Sequence, residues 1–277
     1  MKILAIVGLM LLSACQLSAQ AQTAPPSKTS NELASKEAGE SSWTHRWGVG
    51  FAAFPKYPGS DRFWALPVPL LESRYRERFF ISTVHGLGVE GQVLPGLRLG
   101  ASLLPDLYLR RSQDLPERFA KLDEIKLAPA LRISAELSHG PWVMQWISST
   151  RLGRLNSWGK PAEQGSSLQM EAGYGLVAAP GLALAAGVSA QWMDAKLANT
   201  LLGINAAQAQ ATGQSIYTLG SGVKNLGLFA RAHYQWDADW QLQGRLAVQQ
   251  LRGDAANSPL VQRRLQPELF LSLSRGF

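Results

Sequence analysis

Cysteine is almost absent: Cys15 is the only one in 277 residues. That excludes a disulfide scaffold and a multi-cysteine zinc site. Charge is also scarce. Asp, Glu, Lys and Arg make up 17% of the chain, against about 25% in ordinary soluble domains. Long apolar runs are missing as well, so a bundle of transmembrane helices, each needing about 20 apolar residues, is ruled out. There is no phosphate-binding glycine loop, no dinucleotide fingerprint and no H-E-x-x-H pair. The four histidines, His45, His85, His139 and His233, stand apart from any evident nucleophile arrangement. Asp237 and Asp239 flank a turn and read as solvated turn residues. No enzyme, metal or cofactor is therefore expected. Apolar residues are nonetheless plentiful, at 46%, which argues against disorder. A chain that is apolar on every second residue satisfies all of these constraints, and that is the composition of a membrane β-barrel.

The first residues read as an address. Met1-Lys2 precedes an apolar stretch, Ile3 to Leu12, which is too short to span a bilayer. Ala19-Gln20-Ala21 is an ordinary cleavage site, giving a signal peptide of 1–21. Leu12-Ser13-Ala14-Cys15 is the competing lipobox reading, with signal 1–14 and a lipidated Cys15. Residues 22–42 are rich in Ser, Thr, Ala, Pro, Lys and Glu with one large apolar residue, Leu33, and read as a flexible periplasmic leader.

From residue 43 onward the pattern has period two. Leu97, Leu99, Ala101, Leu103, Leu107 and Leu109 alternate with Arg98, Gly100, Ser102, Asp106 and Arg110. Ile125, Leu127, Leu131, Ile133, Ala135 and Leu137 alternate with Lys126, Arg132, Ser134 and Glu136. Further runs lie at 142–146, 168–176, 182–192, 226–236, 240–248 and 269–277. Successive strand side chains point to opposite faces, so each run carries one apolar and one polar face. The runs are longer than the usual five or six residues of soluble strands and match tilted membrane strands. Trp142, Trp192, Trp236 and Trp240 sit near run ends, where an interfacial girdle belongs.

Short turns at 95–96, 139–141, 179–181 and 237–239 alternate with long connections at about 111–123, 154–165, 193–224 and 253–263. That is the plan of an outer-membrane barrel, with short periplasmic turns and longer outer loops. The expected fold is an all-β, closed antiparallel transmembrane barrel spanning 43–277. Twelve strands are expected at 45–54, 63–72, 79–84, 87–93, 97–110, 124–138, 140–153, 166–178, 181–193, 225–236, 239–252 and 264–277. Ten is the alternative, because the third and fourth strands are short and Pro67 and Pro69 each remove a ladder donor from the second. Within 193–224, residues 196–212 hold good helix formers with Leu197, Leu201 and Ile204 at helical spacing. They predict a short helix folded over or into the mouth; the alternative is an irregular loop packed on its neighbours.

Inward-facing charges are expected at Glu90, Arg98, Lys126, Arg132, Glu136, Arg151, Glu171, Arg231 and Arg245. Confined charges need partners, so they read as an ion-paired network filling the lumen, or alternatively as the lining of a selective pore. The formal net charge of +7 suits contact with lipopolysaccharide or other anionic envelope partners. No recognition motif accompanies it, so nucleic acid is not a partner.

Three segments go beyond a generic barrel. They are Tyr57-Pro58-Gly59-Ser60-Asp61, followed by Leu66-Pro67-Val68-Pro69; Asn199-Thr200-Leu201-Leu202-Gly203-Ile204, followed by Ala207, Ala211-Thr212-Gly213, Tyr217, Gly220, Gly222 and Lys224; and Leu251-Arg252-Gly253-Asp254-Ala255-Ala256-Asn257-Ser258-Pro259-Leu260-Val261. Gly59, Ser60 and Asp61 read locally as a turn, and Asp254 and Asn257 as local caps. Together the segments resemble the MipA/OmpV family, the MltA-interacting proteins, over about 45–277. The resemblance implies an outer-membrane barrel, scaffolding of murein hydrolases or synthases, or alternatively solute and antibiotic passage or adhesion. The terminal Phe277 resembles the signal read by the barrel-assembly machinery.

Overall fold

A computed structural model describes residues 43–106, 108–153 and 164–277. The expected signal, Cys15 and the leader lie outside the described residues, as does most of the 154–165 connection. Twelve antiparallel strands close into a barrel. They are β1 (Trp43–Pro55), β2 (Phe63–Tyr75), β3 (Phe79–Ser82), β4 (Gly86–Leu94), β5 (Leu97–Asp106), β6 (Ala128–His139), β7 (Trp142–Arg151), β8 (Gly165–Ala179), β9 (Leu182–Met193), β10 (Gly222–Gln235), β11 (Trp240–Leu251) and β12 (Leu265–Gly276). Every strand pairs with its sequence neighbours, and β1 closes on β12 with Phe51 opposite Leu271. Closure satisfies the backbone groups that hydrocarbon would otherwise leave unpaired.

The alternation works as its period demands. Val49, Phe51, Leu99, Ile133, Val188, Leu228 and Leu271 are exposed on the outer face, where lipid covers them. Ser102, Arg132, Gln145, Glu171, Gln241 and Ser272, on the other face, are buried in the lumen. Aromatic residues gather at the end that carries the short turns, Trp43 and Phe277. Trp43 lies 5.0 Å from Tyr75, Trp142 lies 5.2 Å from Tyr174, and Trp236 lies 5.9 Å from Trp240, ring centre to ring centre. This is an interfacial girdle, and by the rule of bacterial barrels that end is periplasmic.

Strands five and six are shorter than the sequence predicts. β5 stops at Asp106 and β6 begins at Ala128. The chain between them leaves the wall because Ile125 is needed in an apolar cluster above the mouth, and it is held there by paired backbone bonds between Arg110 and Ile125. The second outer-facing reversal also departs from a long-loop rule. Residues 83–85 make a short tip that stops partway up the wall, because β3 has only four residues.

Pro67 and Pro69 do not interrupt β2, which runs for 13 residues. Thr83 donates its backbone N–H to the Leu71 carbonyl at 3.0 Å, and the Leu71 amide donates to Thr83 Oγ1 at 3.1 Å. Leu71 therefore faces β3, and so does every second residue before it. Positions 69 and 67 point their backbone nitrogens away from β1, so no rung of the β1–β2 ladder is lost.

The predicted helix is present, as two. α1 (Ala195–Leu202) and α2 (Ala206–Thr212) are separated at Gly203, and a single turn α3 (Gly253–Ala256) follows β11. Asp194 caps α1 by accepting from the Leu197 amide at 2.7 Å. Asn205 and Gln208 form a reciprocal capping box on α2. Leu197 and Leu201 of α1 and Ile204 beyond it are buried, so the helical face read in the sequence is the face that packs.

Candidate functional site: the lid and the lumen beneath it

Four outer connections fold together over the mouth. Tyr57 from the first, Leu115, Phe119 and Leu122 from the third, Ile204 from the long connection and Leu260 from the last form one apolar cluster. Ile125, α1, Leu219 and Ala255 form a second beside it, with Met193 and Leu251 at the strand ends below. Burying this much apolar surface is what makes the loops a lid rather than mobile tethers.

The three distinctive segments are the polar staples of that lid. Gly59 has φ +90°, a conformation that favours glycine, and an added Cβ would stand 2.6 Å from Val261. Its N–H donates to Gln266 Oε1 at 2.9 Å, and its carbonyl accepts from the Gln262 and Arg263 amides at 2.8 and 3.0 Å. Tyr57 donates its hydroxyl to Gln262 at 3.1 Å. Burial pushes the Tyr57 phenol up to about 12. Ser60 is fully buried and accepts from the Arg62 amide, whereas Asp61 is exposed. Asn199 donates to the Leu219 carbonyl and accepts from its amide, at 2.7 and 2.8 Å. Thr200 donates back to Lys196 within α1. Gly203 lies tight against Asn199, whose carbonyl would be 2.6 Å from an added Cβ. Ser258 donates to the Leu202 carbonyl at 2.6 Å, joining the third segment to the second; Pro259 next to it is half-buried.

Asp254, which follows Gly253 (φ +56°), reaches beyond a local cap. It pairs with the fully buried Lys224 ammonium at 2.6 Å and accepts from the Gly220 amide at 2.9 Å, while its carbonyl accepts from Tyr217. Burial works against its ionisation, but the Lys224 and Gly220 hydrogen bonds prevail and hold the carboxyl below its ordinary value of 3.8.

Below the lid the lumen is crossed by charge. Glu171 pairs with Arg231 and, at 2.8 Å, with Arg245, which also lies 3.5 Å from Glu268. Arg231 and Arg245 stand over the Phe229 ring. Arg151 pairs with Asp106 at 3.0 Å, and Arg74 bridges Glu72 and Glu90. Glu136 is half-buried and faces the Arg231 charge; Arg98 lies 3.8 Å from Glu90 with its side chain partly exposed. Arg132 is buried, and its Nε and one terminal nitrogen have no partner among the described residues. Lys126 is a correction. Because β6 starts two residues later, Lys126 is exposed in the loop and is not a lumen charge; only its carbonyl meets Arg151. Asp106, Glu72, Arg74 and Glu268 were missed among the lumen charges, although each lies an even number of residues from an inward neighbour on its strand.

An unfilled space, partly open to solvent, lies between lid and charged row. Phe54, Trp64, Leu109 and Ile147 give it an apolar side, and Gln191, Asn225 and Gln266 a polar one. At the periplasmic rim His45 Nδ1 lies 2.9 Å from Ser73 Oγ. The pair is exposed, and no carboxylate bonds to His45 among the described residues, so the third group of a hydrolytic triad is not recorded there. Phe277 pairs with His45 through both backbone bonds, at 3.1 and 3.0 Å, and its side chain is exposed.

A closed twelve-stranded barrel with a lipid-facing apolar band, an aromatic girdle and an ion-paired lumen is an outer-membrane barrel protein. Residues 47–277 match the family model described as MltA-interacting protein MipA, and the chain belongs to that family. No curated protein matches it. Among solved structures it is similar to an outer membrane channel from Pseudomonas putida F1 (10% identity, 84% of this chain and 95% of that one, TM-score 0.41). It is also similar to the CymD monoaromatic hydrocarbon channel (10% identity, 84% and 87%, TM-score 0.39) and to the DcaP channel of Acinetobacter baumannii (9% identity, 86% and 98%, TM-score 0.35).

Proposed function

We propose that this protein is a non-catalytic docking barrel whose periplasmic rim holds a murein-remodelling enzyme. The family's description, MltA-interacting protein, supports the reading. The observation that carries it is the lid. Four packed outer connections cover the mouth and paired charges cross the lumen, so the surface left for a partner from the cell side is the periplasmic rim. That rim presents Arg76, Glu77 and Arg78 in the β2–β3 turn, with Asp237, Asp239 and Arg275 farther round. Lipopolysaccharide on the outer side and the assembly machinery reading Phe277 complete the proposed partners. The test is capture of a purified murein lytic transglycosylase by the barrel in detergent. Capture should fall when Arg76 and Arg78 are both changed to Glu and stay unchanged when lid residues are altered. Capture no better than that of an unrelated barrel overturns the proposal. A second reading, solute passage, is favoured by the space beneath the lid.

A further inference from the structure

The barrel wall is not hydrogen-bonded throughout. β2 pairs with β3 over residues 72–75, with a last backbone bond from Thr83 to Leu71, and β4 pairs with β5 from Leu87 opposite Leu103. In the outer half, residues 63–70 of β2 and 104–106 of β5 therefore face each other with no strand between them. The backbone is adapted to this seam. Positions 67 and 69 of β2 aim into it, and both are proline. On β5, Pro105 lies opposite Pro129 of β6, whose carbonyl accepts from Leu152 on the β7 side at 2.9 Å. Pro129 thus faces β7, the pair exchanges no bond, and Pro105 also aims into the seam. Three amides that hydrocarbon would leave unsatisfied are missing by covalent structure. Proline is confined to strand edges, so the sequence itself marks these edges as unpaired.

Side chains close the seam instead. Val84 from the β3–β4 tip and Leu109 from beyond β5 pack on Leu66, Val68 and the partly buried Trp64, all on the inner face of β2. The outer face at the same level is apolar, with Phe63, Leu71 and Leu103 exposed to lipid. Trp64 and Leu109 also line the space beneath the lid. The side chains of this cluster, and no ladder bonds, thus stand between the acyl region and the cavity. The charges lining the cavity are already paired: Arg151 with Asp106, Lys56 with Asp114 at 2.7 Å, and Arg245 with Glu171. What remains is neutral and polar, including Asn225, over nine-tenths buried, whose Oδ1 has no partner among the described residues.

We propose that the seam between β2 and β5 is a lateral portal through which a small uncharged amphiphile enters the cavity from the outer leaflet. Its apolar part lies on Phe54, Trp64 and Leu109, and its hydrogen-bonding head reaches the Asn225 wall. This is independent of docking at the rim.

The test uses the full barrel in phosphatidylcholine vesicles with a monoacylglycerol carrying a mid-chain diazirine, followed by irradiation and peptide mapping. Adducts are expected on Trp64, Leu66 and Leu109, with loss on competition by unlabelled monoacylglycerol and in Leu109→Trp, whose folding is checked by heat-modifiable mobility. Adducts confined to the lipid-facing Leu71 and Leu103 overturn the portal. If Leu109→Trp fails to fold, the competition arm on the native protein still decides. A phosphatidylcholine with the same diazirine chain should not label the inner residues; if it does, the occupant is a resident lipid tail and the proposal fails. Equal inner labelling by an anionic fatty acid probe overturns the choice of an uncharged head.

Discussion

At the scale of single residues, Asp254 shows how much of the lid depends on one carboxylate. It neutralises Lys224, which is buried, and it fixes the Gly220 amide. Asp254→Asn keeps the shape and removes the charge. Leaving one member of such a pair uncompensated costs about 3 kcal/mol when both are buried, and less here because Asp254 is partly exposed. The expected outcome is faster hydrogen exchange and proteolysis in 214–222 with the strands unaffected. The pH dependence follows from the lowered folded value. An unfolded Asp254 takes up its proton near 3.8, and the folded one only below that. The contribution is thus complete above about pH 5 and is lost as pH falls through the lowered value. Lid protection in the native protein should persist through the unfolded carboxyl's titration range and fail only as pH falls through the lowered folded value, while Asp254→Asn loses that step. Asp254 and Ser258 were visible in the sequence as members of a distinctive segment. Their partners, Lys224 and Leu202, belong to another such segment, but the pairing itself was not visible, because only the fold brings the two segments together across 30 and 56 residues.

At the scale of elements, α1 is the keystone of the lid. Leu197, Ala198, Leu201 and Leu202 are all buried in one cluster with Met193 and Leu251. Leu201→Ala removes a buried side chain and should destabilise the lid by about 2–5 kcal/mol. Limited proteolysis should then cut within 195–221 while the barrel keeps its heat-modifiable mobility; an intact lid would mean that the loops hold one another without α1. The helical spacing of Leu197, Leu201 and Ile204 was legible. The break at Gly203 was not read, although Asn205 and Gln208 spell a helix start three residues apart. The prolines of β2 teach the complementary lesson. Read alone, they weaken a strand; in the barrel they are tolerated because their nitrogens face the seam, a matter of which neighbour lies on which side.

For the whole molecule, lid and charged row act in series. Planar bilayers containing the native protein should carry no steady current, and deletion of 196–213 should produce one. Silence in both would place the barrier in the Glu171, Arg231 and Arg245 row. The sequence by itself determined the architecture. A period of two over long runs, alternating turn lengths and girdle aromatics allow little other than a membrane barrel, because lipid demands a closed ladder with an apolar outer face. It also pointed to neighbour-to-neighbour strand order, since each short turn forces a neighbour, and to twelve strands with ten as the alternative; the closed barrel decided for twelve. Only the tertiary structure decided what the barrel is like inside. Ion-pair partners, the lid that joins residues 57, 204 and 260, and the unpaired seam all depend on contacts between positions far apart in the chain. Periodicity reports which face a side chain takes; it carries no information about what waits across the lumen.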